Sequence, residues 1–158
     1  MPKLRRRRRA KPPPPPRPRP RSYYLVAGIQ LDEEMERLRA LPVFADGPLA
    51  GRRPELKVRR AGRKPNRLGF AVPTEFRLSV TDYAGFGPGV VLETVLHELV
   101  HLHVGRAKEA HAWHGPTFKR VLSQAMREAY GVTIRPPRST LHGLYAEAIE
   151  RATRAGSS

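Results

Sequence analysis

Val90-Val91-Leu92-Glu93-Thr94-Val95-Leu96-His97-Glu98-Leu99-Val100-His101-Leu102 is an apolar run that carries an HExxH pentad. Seven apolar side chains (Val91, Leu92, Val95, Leu96, Leu99, Val100 and Leu102) cover most of the circumference of a helix. Such a helix belongs inside a fold and not on its surface. Residues four apart on a helix lie one above the other, so the imidazoles of His97 and His101 can reach one metal ion. Glu98 sits beside them, placed to take a proton from a metal-activated water. HExxH also occurs by chance on ordinary helices. Here its three polar groups fall in apolar surroundings, where an unsatisfied polar group is costly. A single zinc ion would satisfy all three, so metal-dependent hydrolysis is the leading expectation.

Upstream of this helix, three short segments alternate apolar and polar residues. They are Leu56 and Val58; Leu68, Phe70 and Val72; and Phe76, Leu78 and Val80. Each reads as a strand with one buried face, and together they predict a small, mostly antiparallel three-stranded sheet. Further upstream, Leu31, Met35, Leu38 and Leu41 recur at helical spacing within Leu25 to Leu41, with acids early and arginines late, as the helix dipole favours. The HExxH helix is expected from about Val90 to Val104, with Gly105 as its stop. A further helix opens at His114-Gly115-Pro116, buries Phe118, Val121, Leu122 and Met126, and ends at Gly131. Val132 to Ile134 reads as a short strand. Ser139 to Arg154 reads as a last helix packing through Leu141, Leu144, Tyr145, Ala148 and Ile149. The expected class is α+β: a small zincin-like domain whose sheet packs against the HExxH helix and further helices.

A catalytic zinc site takes three protein ligands and keeps one position open. His103 is two residues from His101 and faces away from it on the helix. The metzincin pattern needs a glycine three and a histidine six residues after the second histidine; those positions hold Val104 and Ala107, so that class is excluded. His111, His114 and, formally, Glu128 remain. His114 is preferred because Gly115-Pro116 fix the start of its helix and Phe118 anchors that helix to the core, and a ligand on a rigid element holds geometry best.

With His97-Glu98-x-x-His101 followed by His114-Gly115-x-x-Phe118, the chain resembles the SprT-like, or Spartan-type, zinc metalloproteases. Phe76-Arg77-Leu78-Ser79 and Leu92-Glu93-Thr94-Val95-Leu96 resemble that family's strand and lead-in before the active-site helix, and the resemblance covers roughly residues 31 to 131. It implies one catalytic Zn2+ on His97, His101 and His114, with Glu98 as general base. It also implies cleavage of proteins bound or crosslinked to DNA, with DNA as activator. Some members carry a cysteine zinc ribbon; this chain has no cysteine and cannot hold one.

Charge points the same way independently. The 158 residues carry 30 Lys/Arg against 14 Asp/Glu, a net charge of +16. Residues 1–22 hold ten of the cations and no acid: Lys3, Arg5, Arg6, Arg7, Arg8, Arg9, Lys11, Arg17, Arg19 and Arg21. Eight of the seventeen prolines lie there too. Mutual repulsion and polyproline preference predict a disordered, semi-rigid basic arm, followed by one domain over 23–158. The arm's arginines and Lys11 are candidate contacts for DNA phosphates, non-specific and salt-sensitive, on duplex or single strand. A proline-module ligand and a solubilising tail are the competing readings of the same residues. With no apolar signal region and no long apolar span, a cytoplasmic location is expected, nucleoid-associated in a bacterium, with no membrane partner.

Several residues near the motif stay secondary. Tyr83, His111, His142 and Tyr145 are candidates for a second oxyanion donor, each better read as structural. Glu93, one turn before His97, reads as solvated surface, and Trp113 reads as packing. The Phe76 to Thr81 strand is expected at the sheet edge, where a substrate strand could add. The alternative to a protease is a nucleic-acid-binding protein whose zinc site is structural or vestigial. A three-histidine nuclease is a weaker reading, since Glu98 fits peptide hydrolysis better.

Overall fold

The computed structural model describes residues 17–105, 114–134, 143 and 145–156. After a 3-10 turn, Arg21–Tyr24, the chain makes a two-stranded antiparallel hairpin, β1 (Leu25–Val26) and β2 (Ile29–Gln30). Ala27 and Gly28 form its turn, both at positive φ. Helix α1 (Leu31–Arg39) follows directly, so the helical spacing begins at Leu31 and the residues before it are extended. Leu31, Met35 and Leu38 are fully buried, which is the face their spacing predicts. The short α2 (Pro48–Gly51) buries Leu49 and leads into the sheet.

The sheet consists of β3 (Glu55–Arg60), β4 (Gly69–Val72) and β5 (Arg77–Asp82), in the order β3-β5-β4. It is mixed, which corrects the mostly antiparallel expectation: β3 runs parallel to β5, and β4 antiparallel to it. The chain leaves β3, crosses to the far side of the position β5 will fill, and returns through β4. Strand β5 is therefore central, not an edge. Ser79 and Thr81 are buried as well as Leu78 and Val80, where one-sided alternation would leave them exposed. Phe76 lies outside β5, in the preceding turn at φ 49°, with its ring buried.

Leu56 and Val58 pair in register with Leu78 and Val80, and this face of the sheet meets the long helix α3 (Pro88–Val104). Helix α3 is buried from Val91 through His101, as a helix apolar on all sides must be. It starts with Pro88 and stops at Gly105, whose φ is 64° and whose N–H bonds the His101 carbonyl. Helix α4 (Pro116–Tyr130) buries Phe118, Leu122, Ala125 and Met126. It ends at Gly131, φ 66°, where the N–H groups of Gly131 and Val132 return to the carbonyls of Arg127 and Met126. Residues 131–134 are not a strand. The last helix, α5 (Ala146–Ala155), packs on α3 through Ile149 and is preceded by the buried Tyr145. The earlier start at Ser139, with Leu141 and Leu144, lies outside the described residues, as do Arg5 to Arg9 and Lys11 of the arm. Arg17 and Arg19 are exposed, and Arg21 opens the 3-10 turn and pairs with Glu33 at 2.6 Å. Among the described residues, no helix is long and apolar enough to cross a membrane.

Candidate metal centre and cleft

Helix α3 delivers His97 and His101 from successive turns of one face, and His114 comes from the turn just before α4. The three Nε2 atoms form a near-equilateral triangle: 3.2 Å between His97 and His101, 3.1 Å from His114 to each. Nitrogens around a tetrahedral zinc at about 2.0–2.1 Å are about 3.3–3.4 Å apart, so the triangle is within a few tenths of an ångström of that requirement. Three imidazole nitrogens cannot all satisfy one another as donors and acceptors in a triangle, whereas a single cation takes a lone pair from each. Among the described residues, this is the one group of three His, Cys, Asp or Glu side chains whose ligand atoms converge. The chemistry and spacing of the set fit zinc.

Phe118, one turn into α4, sits against all three rings, with centroid separations of 4.9, 4.4 and 4.8 Å to His97, His101 and His114. It is fully buried. The HGxxF spacing thus has a direct physical sense: the histidine joins the converging set, and the phenylalanine three positions after Gly115 is the wall behind it.

Glu98 is 3% exposed and lines the same cleft, of about 600 Å³, as the three histidines. Burial pushes its carboxyl up to about 8, an effect partly opposed by the positive charge of Arg67. The opposite wall is β4. Thr81 donates its N–H to the Leu68 carbonyl at 2.9 Å, which sets the phase of the β4–β5 ladder. Leu68, Phe70 and Val72 then bond inward to β5, and the N–H and C=O groups of Gly69 and Ala71 face outward along the cleft. Gly69 is required there. A Cβ on it would lie 2.6 Å from the Ser79 carbonyl oxygen, 2.7 Å from Thr94 Cγ2 and 3.5 Å from Glu98 Cγ.

The SprT-like family model matches residues 42–138, more than half of the chain, and spans the sheet, HExxH and HGxxF. The chain belongs to the SprT-like family. Neither the curated proteins nor the solved structures give a match. Membership is consistent with a zinc metalloprotease-type function.

In this SprT-like chain His103, Glu128 and Tyr83 are engaged elsewhere. His103 packs against Phe44, ring centroids 5.2 Å apart. Glu128 accepts a hydrogen bond from the Val43 N–H at 2.8 Å and so holds the 3-10 turn at residues 42–44 to α4. Tyr83 stacks edge-on with Phe86. His111, Trp113 and His142 lie outside the described residues. Glu93 is not solvated: it is 3% exposed, and its Oε1 accepts the Gly143 N–H at 2.9 Å. Two features were not read from sequence. One is the outward edge of β4, which only the strand order reveals. The other is Tyr23, whose hydroxyl accepts from the Val58 N–H at 3.0 Å and donates to the Val58 carbonyl at 3.3 Å, blocking the free edge of β3.

Proposed function

We propose that the chain is a zinc-dependent endopeptidase in which His97, His101 and His114 hold the ion and Glu98 is the general base. The observation that carries this is the convergence of three Nε2 atoms beside a buried carboxyl, in a cleft walled by an open strand edge. Bound there, zinc would supply Lewis acidity, which polarises a peptide carbonyl and acidifies water at neutral pH. The protein's own residues do the rest. Glu98, held as a carboxylate once a bound cation offsets the effect of burial, would accept a proton from the attacking water and return it to the leaving amine nitrogen. Gly69 and Ala71 offer backbone donors and acceptors to an extended segment, which recognises main chain and tolerates many side chains. With the β3 edge occupied by Tyr23, strand addition is directed to the β4 edge.

The preferred substrates in this reading are proteins bound or crosslinked to DNA. Two things support it: the family resemblance, and the cationic arm of residues 1–22 with its ten Lys/Arg, which would recruit the chain to phosphate backbones. The test is cleavage of a DNA-binding protein by the zinc-loaded chain, with and without single-stranded DNA, comparing wild type with Glu98→Gln. Cutting stimulated by DNA and lost in a Glu98→Gln variant that still binds zinc supports base, metal and activator together. No cutting by zinc-loaded wild type, with nucleic acid still bound, would leave a binding protein with a structural zinc site.

A further inference from the structure

We propose that Arg67 is a specificity-determining residue, which favours substrate segments carrying an acidic side chain beside the scissile bond. The inference rests on the protease reading and adds to it a side-chain preference that main-chain recognition alone does not supply. Arg67 lies two residues before the start of β4, and its backbone is pinned: its carbonyl accepts the Thr81 hydroxyl at 3.0 Å, and the next carbonyl, of Leu68, accepts the Thr81 N–H at 2.9 Å. Arg67 lines the same cleft as Gly69, His97 and Glu98, and Gly69 turns toward Thr94 and Glu98, so Arg67 stands on the histidine side of the sheet.

Its guanidinium closes no ion pair among the described residues, and its charge acts on Glu98 only at longer range. The other arginines of the sheet are engaged: Arg60 with Asp82, Arg77 with Glu75, and Arg59 over the Phe70 ring at 5.6 Å. Arg67 itself is exposed. Among the described residues Glu98 is the one carboxylate lining the cleft, and it is buried deep within it. A strand added along Gly69 and Ala71 would place alternate side chains on the Arg67 face. A carboxylate there would gain a charge-assisted, bidentate hydrogen bond, which an amide or an ammonium would not. A nucleic acid could use the same guanidinium, but it has no counterpart for the outward N–H and C=O groups of Gly69 and Ala71, and Phe70 is already covered by Arg59. The peptide is the better fit.

The experiment uses the zinc-loaded full chain and a matched set of fluorogenic peptides with Glu, Gln or Lys flanking the cleavage point. Values of kcat/KM are compared for wild type, Arg67→Gln and Arg67→Glu. Wild type is expected to favour Glu over Gln by about fivefold or more, Arg67→Gln to flatten the series, and Arg67→Glu to reverse it toward Lys. A flat series in wild type, or an unchanged preference in Arg67→Glu, overturns the proposal. A parallel arm measures binding of the Glu and Gln peptides, and of a single-stranded oligonucleotide, to the zinc-loaded Glu98→Gln chain, with and without Arg67→Glu. If no peptide is cut but the Glu peptide still binds preferentially through Arg67, the acidic preference stands and the protease reading falls. If only the oligonucleotide depends on Arg67, the cleft is a nucleic-acid site and the proposal is wrong.

Discussion

Glu93 and Glu150 cap each other's helices. Glu93, on α3, accepts the Gly143 N–H at 2.9 Å, and the backbone of Tyr145 and Ala146, where α5 begins, favours its charged form. Glu150, on α5, accepts the Gly89 N–H at 3.0 Å in the first turn of α3. The two helices run antiparallel with almost no space between them; a Cβ on Gly89 would lie 2.2 Å from the Ala146 carbonyl oxygen. Neither helix has a side-chain cap from its own N-cap residue. Each therefore takes its missing acceptor from the other, at the end where a negative group is favoured.

This arrangement makes stability depend on pH through Glu93. Burial pushes its carboxyl up to about 7 against an ordinary value of 4.5, with the backbone N–H groups of Gly143, Ala146 and Tyr145 pulling the other way. A raised acid pKa means the folded chain holds the proton more tightly than the unfolded chain. The contribution is complete below about pH 4.5 and is lost as pH rises through about 7. The ceiling is about 3 kcal/mol. Glu93→Gln keeps an acceptor oxygen and cannot ionise. Denaturant unfolding of the two proteins at pH 5 to 8.5 should show the variant gaining on wild type as pH rises. A constant difference across that range would mean that Glu93 does not titrate in the folded chain.

Gly69 predicts a separate defect. A methyl group at this position meets the backbone of the central strand and the side chain of Thr94, neither of which can retreat without moving α3 away from β4. Gly69→Ala should destabilise by about 1–3 kcal/mol. It should also lower kcat/KM by at least tenfold, because Glu98 rides on the displaced helix. Ala71 faces the same cleft and tolerates a side chain, so Ala71→Ser serves as the comparison. Equal activity in the two variants would place the Gly69 contact outside the working geometry.

What could be read from sequence, and what could not, follows from distance along the chain. The HExxH face of α3 is a local consequence of helical spacing, and Gly115-Pro116 with Phe118 set the start of α4 locally too, so the histidine triangle was legible. Strand direction was not. The alternation at Leu78 and Val80 is the same whether β5 is an edge or a centre, and the crossover that puts β3 parallel to it leaves no mark on residue periodicity. Glu93 misled for a related reason. Its partner at Gly143 is 50 residues away, and a lone glutamate one turn before a ligand looks like a solvated face. Likewise the hydroxyl of Tyr23 meets Val58 across 35 residues and becomes meaningful only once β3 is known to have a free edge.

The arm's role can be read from salt dependence. Residues 1–16 carry seven cations, Lys3, Arg5 to Arg9 and Lys11. Each phosphate neutralised on a duplex contributes about 0.9 to the slope of log affinity against log salt, so full engagement would add a slope of about 6. A chain beginning at Arg17 should bind duplex DNA more weakly at low salt and show a slope reduced by several units, with peptide cleavage in the absence of DNA unaltered. An unchanged slope would move the nucleic-acid contact onto the folded domain or remove it altogether.

Metal content separates ligands from neighbours. His97, His101 and His114 present their Nε2 atoms to one point, whereas His103, only two residues from His101, packs against Phe44 on the other side of α3. Wild type should bind one zinc per chain. Alanine at any of the three converging positions removes one of three donors and should weaken zinc binding by at least a hundredfold, while His103→Ala should keep full stoichiometry and lose only packing stability. Chelation should lower the melting temperature of wild type, because an ion bound only by the folded chain adds its binding free energy to folding. The three ligand variants should melt at the same temperature with and without chelator. Phe118→Leu is the sharper probe of how the site is held: it retains an apolar side chain but gives up the ring that backs all three imidazoles. Weaker zinc binding with a modest loss of stability, below the roughly 3–5 kcal/mol of a truncation to alanine, would mean that the ring orients the ligands. Loss of stability with zinc affinity intact would reduce Phe118 to core packing.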